Sequence, residues 1–456
     1  MKKIITPLFL LTVFVFGFLP VKDTDFGWHY RYGNQFLTTG KLCLTNEFSY
    51  FLPNYKAYYS GHLYDIFLAV VYNNGGFTAV SFFGAFIFLS AAFVFIKLIR
   101  TDELLKTSTY LIVFLLSYPT FSIGLRPQVI SYFFFLLLLN ILHKQDSKLL
   151  FFLPLLFFIW TNVHIGFFIG LFVLLFYFFD KKISFTKYAI IAFLSFLATL
   201  MNPYGINVYK EIIHHVTSPL NNMIAEWVPP DLFHIAFIIF LTIVGIIRII
   251  KKKSIPIYQV LLIVFFATLS LKARRNLPLF YVTFAYIFLD KITISLKKYS
   301  SVFISFLAAF CLLIAVLQIP KTILHTTNWN EYCEKSIAAE YPCEAIKNYP
   351  NLRGNVYSLY EWGGFLIWKK PNIKVFSDGR MPAWKDENGK SPYQVYLDII
   401  QTKDKWNDKL RSLKTDFIFI ADGTFLDLLL QKEQDKYHWR EVYRDKIAVI
   451  YQNAIL

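Results

Sequence analysis

Runs of almost unbroken apolar residues, each closed by a short polar break, repeat from Ile4 to Pro320. Runs of this length suit helices that cross a bilayer of ~30 Å rather than strands or surface helices in water. They predict about eleven membrane spans, near residues 4–21, 76–99, 108–124, 128–142, 149–162, 164–180, 187–201, 232–250, 256–271, 277–290 and 301–320. Only Trp160–Ile165 separates 149–162 from 164–180, so that pair is the least sharply drawn. The first run opens with Lys2-Lys3, but no small-residue cleavage site precedes Asp23, which makes it a span rather than a cleaved signal. After Pro320 the pattern changes. Alternating segments predict strands at Asn355–Leu359, Lys374–Ser377, Asp416–Ile420 and Ile447–Tyr451, and helical periodicity predicts helices at Ile337–Tyr349, Tyr393–Thr402 and Thr424–Glu433. The expectation is a polytopic α-helical membrane domain over 1–320, with a long external loop at 22–75, followed by a small soluble α/β domain over 321–456 with a mostly parallel sheet.

Composition agrees with lipid as the solvent: 56% of residues are hydrophobic and 17% charged, less charge than a soluble domain carries. The formal net charge of +16 is unevenly placed. Residues 1–320 hold 26 Lys and Arg against 12 Asp and Glu, whereas residues 321–456 hold 20 against 18. With the N-terminus in the cytoplasm, seventeen of those 26 fall on the inner side, among them Lys97, Arg100, Lys144, Lys181, Lys182, Arg248, Lys253 and Lys291, and nine fall outside. That bias orients the chain, and an odd number of spans puts the C-terminal domain outside with the 22–75 loop. The excess positive charge therefore belongs to loops facing an anionic leaflet and is no argument for nucleic acid. No zinc spacing, P-loop or dinucleotide fingerprint is present. Cys333 and Cys343 lie close together in the outside domain, where they either form a disulfide or remain two thiols. Cys43 and Cys311 have no evident partner.

Chemistry would sit in the outside loops. Asp23 and Asp25 come straight after the first span, at the lipid–water boundary. Such carboxylates can act as general base or hold a divalent cation; equally, either can cap a helix running through Leu37 to Gly40. Asn162 and His164 sit between two apolar runs, lining a cavity or bonding between helices. Glu226 is a second acid, in the loop 202–231, and reads either as part of an acceptor site or as a solvated loop residue. Arg274 and Arg275, with Lys272 beside them, run against the positive-inside bias, and Arg126 lies in another external turn. A guanidinium matches phosphate oxygens in a two-pronged fashion, so these residues are candidates for a phosphate site; the alternative is snorkelling to lipid head groups.

The external loop resembles that of the GT-C glycosyltransferases, membrane enzymes that use polyprenyl-phosphate sugars, and is similar to the protein O-mannosyltransferases and aminoarabinose transferases. Those have an Asp-Glu pair after the first span, an aromatic or His four residues past the Asp, and a Gly ending the helix; setting Asp25 on that Asp brings His29 and Gly40 into register, with Phe26 where those families have Glu and Asp23 two residues upstream. Uncharacterised bacterial GT-C-like proteins are more similar. The shared pattern is Asp23, Asp25, Trp28 and His29; Phe48-Ser49-Tyr50; His62-Leu63 opening the second helix, with Asp65; and Arg126-Pro127-Gln128. It continues with Trp160 to Gly166, Asn202-Pro203-Tyr204-Gly205, Glu226-Trp227 and Arg274-Arg275-Asn276, then Glu361-Trp362-Gly363-Gly364 and Asp378-Gly379-Arg380, the last two expected to form turns.

The resemblance implies an inverting glycosyltransferase of the cytoplasmic membrane that moves a hexose-type sugar from a polyprenyl-phosphate donor to a protein, glycan or lipid acceptor on the outer face. Asp25, with Asp23, would be catalytic, with no certain cofactor beyond a divalent cation held by those two acids. His29, His62, Arg126, His164, Glu226, Arg274 and Arg275 would bind substrate. A transporter or flippase for a lipid-linked or anionic solute is the rival reading, but it would show internal repeats and charges in mid-span, and neither is evident.

Overall fold

The computed structural model describes residues 2–144, 147–180, 184–217, 224–252, 256–290, 297–334 and 340–455. Lys181, Lys182, Lys253 and Lys291 of the expected inner loops, and the first three residues of the expected helix Ile337–Tyr349, lie outside them. The chain is mostly helical with a small sheet near its C-terminus. It forms two compact units, residues 1–21, 77–206 and 219–323 in one, and residues 22–76, 207–218 and 324–456 in the other. The loop after the first apolar helix thus shares a unit with the tail, a partnership that chain order does not announce.

In the helical unit a helix lies at each of the eleven apolar runs, but three helices among the described residues are long and apolar enough to cross a membrane: His62–Leu98, Pro127–Lys144 and Ser300–Thr327. Others, such as Phe167–Tyr177 and Phe185–Thr199, are shorter. By length and composition, three of the eleven expected spans qualify among the described residues. The polar turn 162–166 between Leu153–Thr161 and Phe167–Tyr177 shows why, since Asn162 caps the first helix and Gly166 starts the second. The helix His62–Leu98 begins well before residue 76 and is broken by non-helical backbone at Gly75 and Gly76; Gly76 has φ of +59°, which glycine alone adopts freely. Large apolar side chains point outward on many of these helices, including Phe82, Phe93, Phe151, Phe185, Phe240 and Leu312. Only 17% of the apolar window in Ser300–Thr327 is covered by protein. Such surfaces are tolerated in lipid, not in water, and mark a membrane protein.

The second unit is built on five strands, β1 (Gly354–Ser358), β2 (Ile373–Val375), β3 (Phe417–Ala421), β4 (Trp439–Arg444) and β5 (Ala448–Asn453), in the order β2-β1-β3-β5-β4. β1 pairs parallel with β2 and β3, whereas β5 pairs antiparallel with β3 and β4. The sheet is mixed rather than mostly parallel. Asp445–Ile447 is too short a connection for a crossover, and the Asp445 carboxylate takes the N–H groups of Ile447 and Ala448 to close a hairpin. The sequence reading lacks β4 because Trp439–Arg444 alternates weakly; it is a charged edge strand, a common guard against sheet-to-sheet association. The expected helices occur at Pro392–Ile400, where Ser391 and Gln394 form a capping box, at Phe425–Tyr437, and at Cys343–Asn348. Cys333 and Cys343 are bridged.

The external loop is woven into this unit. Ser49 bridges Val375 in parallel, Tyr50 N–H donates to the Val375 carbonyl, and Val375 N–H donates to that of Phe48. Phe48-Ser49-Tyr50 thereby extends the sheet beyond β2, and Tyr50 and Phe51 enter the core with Tyr357, Phe376, Ile418 and Trp406.

Candidate active site

In the sheet-bearing unit, Asp23 and Asp25 lead into the helix Phe26–Thr39, which closes at Gly40 in the left-handed conformation. Asp25 stands at the N-cap position, yet its side chain caps nothing. Its Oδ1 instead accepts the indole N–H of Trp28 at 2.9 Å, and the backbone of Gly379, from the tail, lies directly against the same oxygen. Asp23 is buried, and its Oδ1 accepts the Asp25 N–H at 3.2 Å. Burial and the nearby Asp23 and Asp25 charges push the Tyr341 hydroxyl well above its ordinary pKa; burial, Asp25 and Asp378 do the same for Tyr360. Both phenols are therefore neutral at ordinary pH.

His29 is one helical turn on from Asp25 and is 4% exposed. Its Nδ1 lies 2.6 Å from Asp65 Oδ1, and the Tyr59 hydroxyl reaches both, at 3.1 Å from Nδ1 and 3.0 Å from Oδ1. His62 packs edge-on to Tyr59 with ring centroids 5.3 Å apart. His29 and His62 are therefore brought together around Tyr59.

A second acid–base pair ties the tail to the same helix. The Arg380 guanidinium donates twice to Asp378, at 2.7 Å and 2.6 Å, and also to the Tyr32 hydroxyl at 2.6 Å. Asp378 is fully buried. Burial alone would lower the Arg380 pKa, but the Asp378 charge and these hydrogen bonds outweigh it and hold it above its ordinary value. Tyr59 and Tyr32 are functional candidates that sequence reasoning passed over, while Asp65 and Arg380 were noted within motifs but given no site role. Asp65 had a signal, since it falls on the same helix face as His62, three residues earlier; Arg380 had only its motif.

The helical unit gathers the remaining candidates. Arg126 Nη1 donates to Glu226 Oε1. The Arg275 guanidinium stacks over the Trp227 ring at 4.6 Å, and the backbone N–H groups of Arg274 and Arg275 donate to the carbonyls of Val228 and Glu226. Residues over a hundred positions apart thus form one cationic cluster around one carboxylate. Burial would raise the Glu226 pKa, but Arg126 and Arg275 hold it below the ordinary value. His164 accepts at Nδ1 from the Gly166 N–H at 3.1 Å, and Nδ1 also lies 2.7 Å from Ser131 Oγ, which takes the Trp160 N–H. With that nitrogen occupied as an acceptor, the ring proton sits on Nε2. His164 is thus part of an interhelical network beside Pro127–Lys144, apart from the cationic cluster's contacts. Among the described residues no group of three or more His, Cys, Asp or Glu is placed to hold a metal ion; Asp23 and Asp25 are the two carboxylates that the acid loop offers to one.

No family model matches the sequence, and no curated protein matches it. Solved structures do resemble it. Archaeal oligosaccharyltransferase AglB from Archaeoglobus fulgidus, in complex with an inhibitory peptide and a dolichol-phosphate, superposes with a TM-score of 0.59 at 11% identity, over 92% of this chain and 69% of that one. The apo form of the Archaeoglobus fulgidus oligosaccharyltransferase gives 0.48 at 12% identity, over 99% of this chain and 74% of that one. The chain therefore has the fold of an archaeal oligosaccharyltransferase, a GT-C superfamily glycosyltransferase.

Proposed function

We propose that this protein is a membrane glycosyltransferase that moves a sugar from a polyprenyl-phosphate donor to an acceptor on the outer face of the cytoplasmic membrane. The observation that carries the reading is the Asp25 carboxylate. It stands where a cap would be yet does not cap, and it is held by an indole N–H and a glycine backbone instead. Support for the donor class comes from the likeness in fold to a protein solved with a dolichol-phosphate and a peptide.

Asp25 takes the proton of an acceptor hydroxyl or amide, whose electron pair attacks the anomeric carbon. The bond from that carbon to the phosphate oxygen breaks, the electron pair leaves with the polyprenyl phosphate, and the configuration inverts. Arg274 and Arg275, with Arg126 held by Glu226, are the cations for the departing phosphate, because a guanidinium meets two phosphate oxygens at once. Asp23 orders the acid loop through the Asp25 N–H; His29, His62 and His164 support substrate groups. The acceptor is a peptide, glycan or lipid.

Purified protein in nanodiscs, incubated with radiolabelled polyprenyl-phosphate sugars and a cell-envelope extract, should pass label to a water-borne or lipid acceptor. Absence of transfer across the donor panel, with label crossing the bilayer of sealed proteoliposomes, would install the flippase reading instead. Replacing Arg274 and Arg275 together by Gln should weaken donor-lipid binding, measured by equilibrium binding, by one to two orders of magnitude at ~1.5 kcal/mol per lost charged hydrogen bond. Unchanged affinity in a monodisperse variant would return both residues to a head-group role. The Lys/Arg bias further proposes that cysteines introduced near residues 40, 215 and 400 react with impermeant reagent from outside, and those near 146 and 252 do not; a protected position 400 would overturn the outer-face assignment.

A further inference from the structure

We propose that the tail turn Asp378-Gly379-Arg380 positions the Asp25 carboxylate, with Gly379 as the surface against which it rests and Arg380 as the clamp that holds the turn. The proposal rests on Asp25 being the base. A Cβ built on Gly379 would land on Asp25 Oδ1. Only a residue without a side chain lets the tail backbone come this close to the carboxylate. The same oxygen takes the Trp28 indole N–H, so it is confined from two sides. The clamp is equally specific. Arg380 is fixed in a fork by Asp378 through Nε and Nη2, gives its remaining nitrogen, Nη1, to Tyr32, and from Nη2 also reaches Asn46 Oδ1 at 3.4 Å. Tyr32 lies seven residues beyond Asp25 on one helix, roughly 10 Å along its axis at the usual rise.

A third contact lies between these two. A Cβ on Gly27 would strike the Gly364 carbonyl, and one on Gly364 would strike the Thr24 carbonyl. Backbone therefore meets backbone between the start of the Asp25 helix and the helix Gly363–Lys369. Held at Asp25, at Gly27 and at Tyr32, the acid helix can neither slide nor rotate against the tail. Gly363 and Gly364, expected in a turn, instead open the helix Gly363–Lys369, and these glycines, like Gly379, have this closeness as their physical reason.

Two measurements test the proposal on the full chain in nanodiscs. The first involves no catalysis: a melting cycle with Gly379→Ala, Asp25→Ala and the double variant. Gly379→Ala should lower the melting temperature by several degrees alone and by clearly less beside Asp25→Ala, where the vacated carboxylate makes room. Equal losses in both backgrounds would overturn the contact and with it the proposal. The second is transfer of labelled sugar to the envelope extract. Gly379→Ala should cut the turnover rate per folded protein by roughly 10²-fold, as small misplacements of a reacting group do, while the KM for donor moves little. Trp28→Phe, which removes the N–H donor from the carboxylate, should move the acid limb of the pH–rate profile upward. Wild-type turnover and an unmoved profile in both variants, with the melting coupling present, would overturn positioning and leave a packing contact. Full activity in Asp25→Asn would remove the base reading, whereas the melting cycle would still report the contact; the two failures are thereby distinct.

Discussion

Asp25→Asn is expected to abolish glycosyl transfer, with a rate loss of ~10²–10⁴-fold, and to leave expression and melting close to those of the parent. The pairing of those two outcomes is what gives the test its force. A carboxylate at a helix N-cap is ordinarily structural, and its loss costs ~1 kcal/mol. Here the Asp25 side chain makes no cap hydrogen bond, and its Oδ1 accepts from Trp28. An asparagine carbonyl can accept the same indole N–H in the same volume, so the change removes the charge and the proton affinity and little else. Turnover in purified variants, normalised to the monodisperse peak, decides the matter. If Asp25→Asn turns over normally and Asp23→Asn does not, the base is Asp23; if both turn over normally, the acid loop is not the catalytic centre.

Arg380→Ala is expected to produce the largest loss of stability, ~3–5 kcal/mol, because it strands Asp378 as a buried charge with its partner gone. The Tyr32 hydroxyl loses its donor in the same step. Arg380→Lys should recover part of the loss only, since an ammonium cannot reproduce the two-pronged contact to Asp378 and reach Tyr32 as well. Thermal melting followed by size-exclusion and limited proteolysis reads the effect. A melting temperature within a degree or two of the parent would show that the pair is dispensable and that the tail is held to the acid helix by other contacts. Activity is no guide for this variant, because a tail that lets go also disturbs everything packed against it, which is why the positioning test uses Gly379.

The chain shows plainly which of its properties are local. Apolar runs, basic breaks and capping residues act over a few turns. The helices at the expected runs, the end at Gly40 and the helix expected at Tyr393–Thr402 were therefore open to reading. Orientation is argued from Lys and Arg alone for the same reason. Local signals misled where length and partner mattered. Helices that flank turns such as Asn162–Gly166 read longer in a hydropathy pattern than the Leu153–Thr161 and Phe167–Tyr177 of the structure, and β4 alternates too weakly to declare itself without β5 beside it.

The candidate residues divide in the same way. That Asp25, Glu226, Arg126, Arg274 and Arg275 are unusual could be seen from charge at the ends of apolar runs, where desolvation makes such residues expensive. What they touch could not be seen, because contact between residues a hundred or more apart is set by tertiary packing and leaves no trace in spacing. Sequence by itself determined a helical, lipid-facing protein with two carboxylates opening its first loop and basic later loops. Only the tertiary structure decided that Arg126 pairs with Glu226, that Tyr59 joins His29 to Asp65, and that a tail glycine more than 350 positions away rests on Asp25. The physical reason is that hydrophobic patterning selects elements one at a time, whereas close approach of two backbones depends on both partners already being in place.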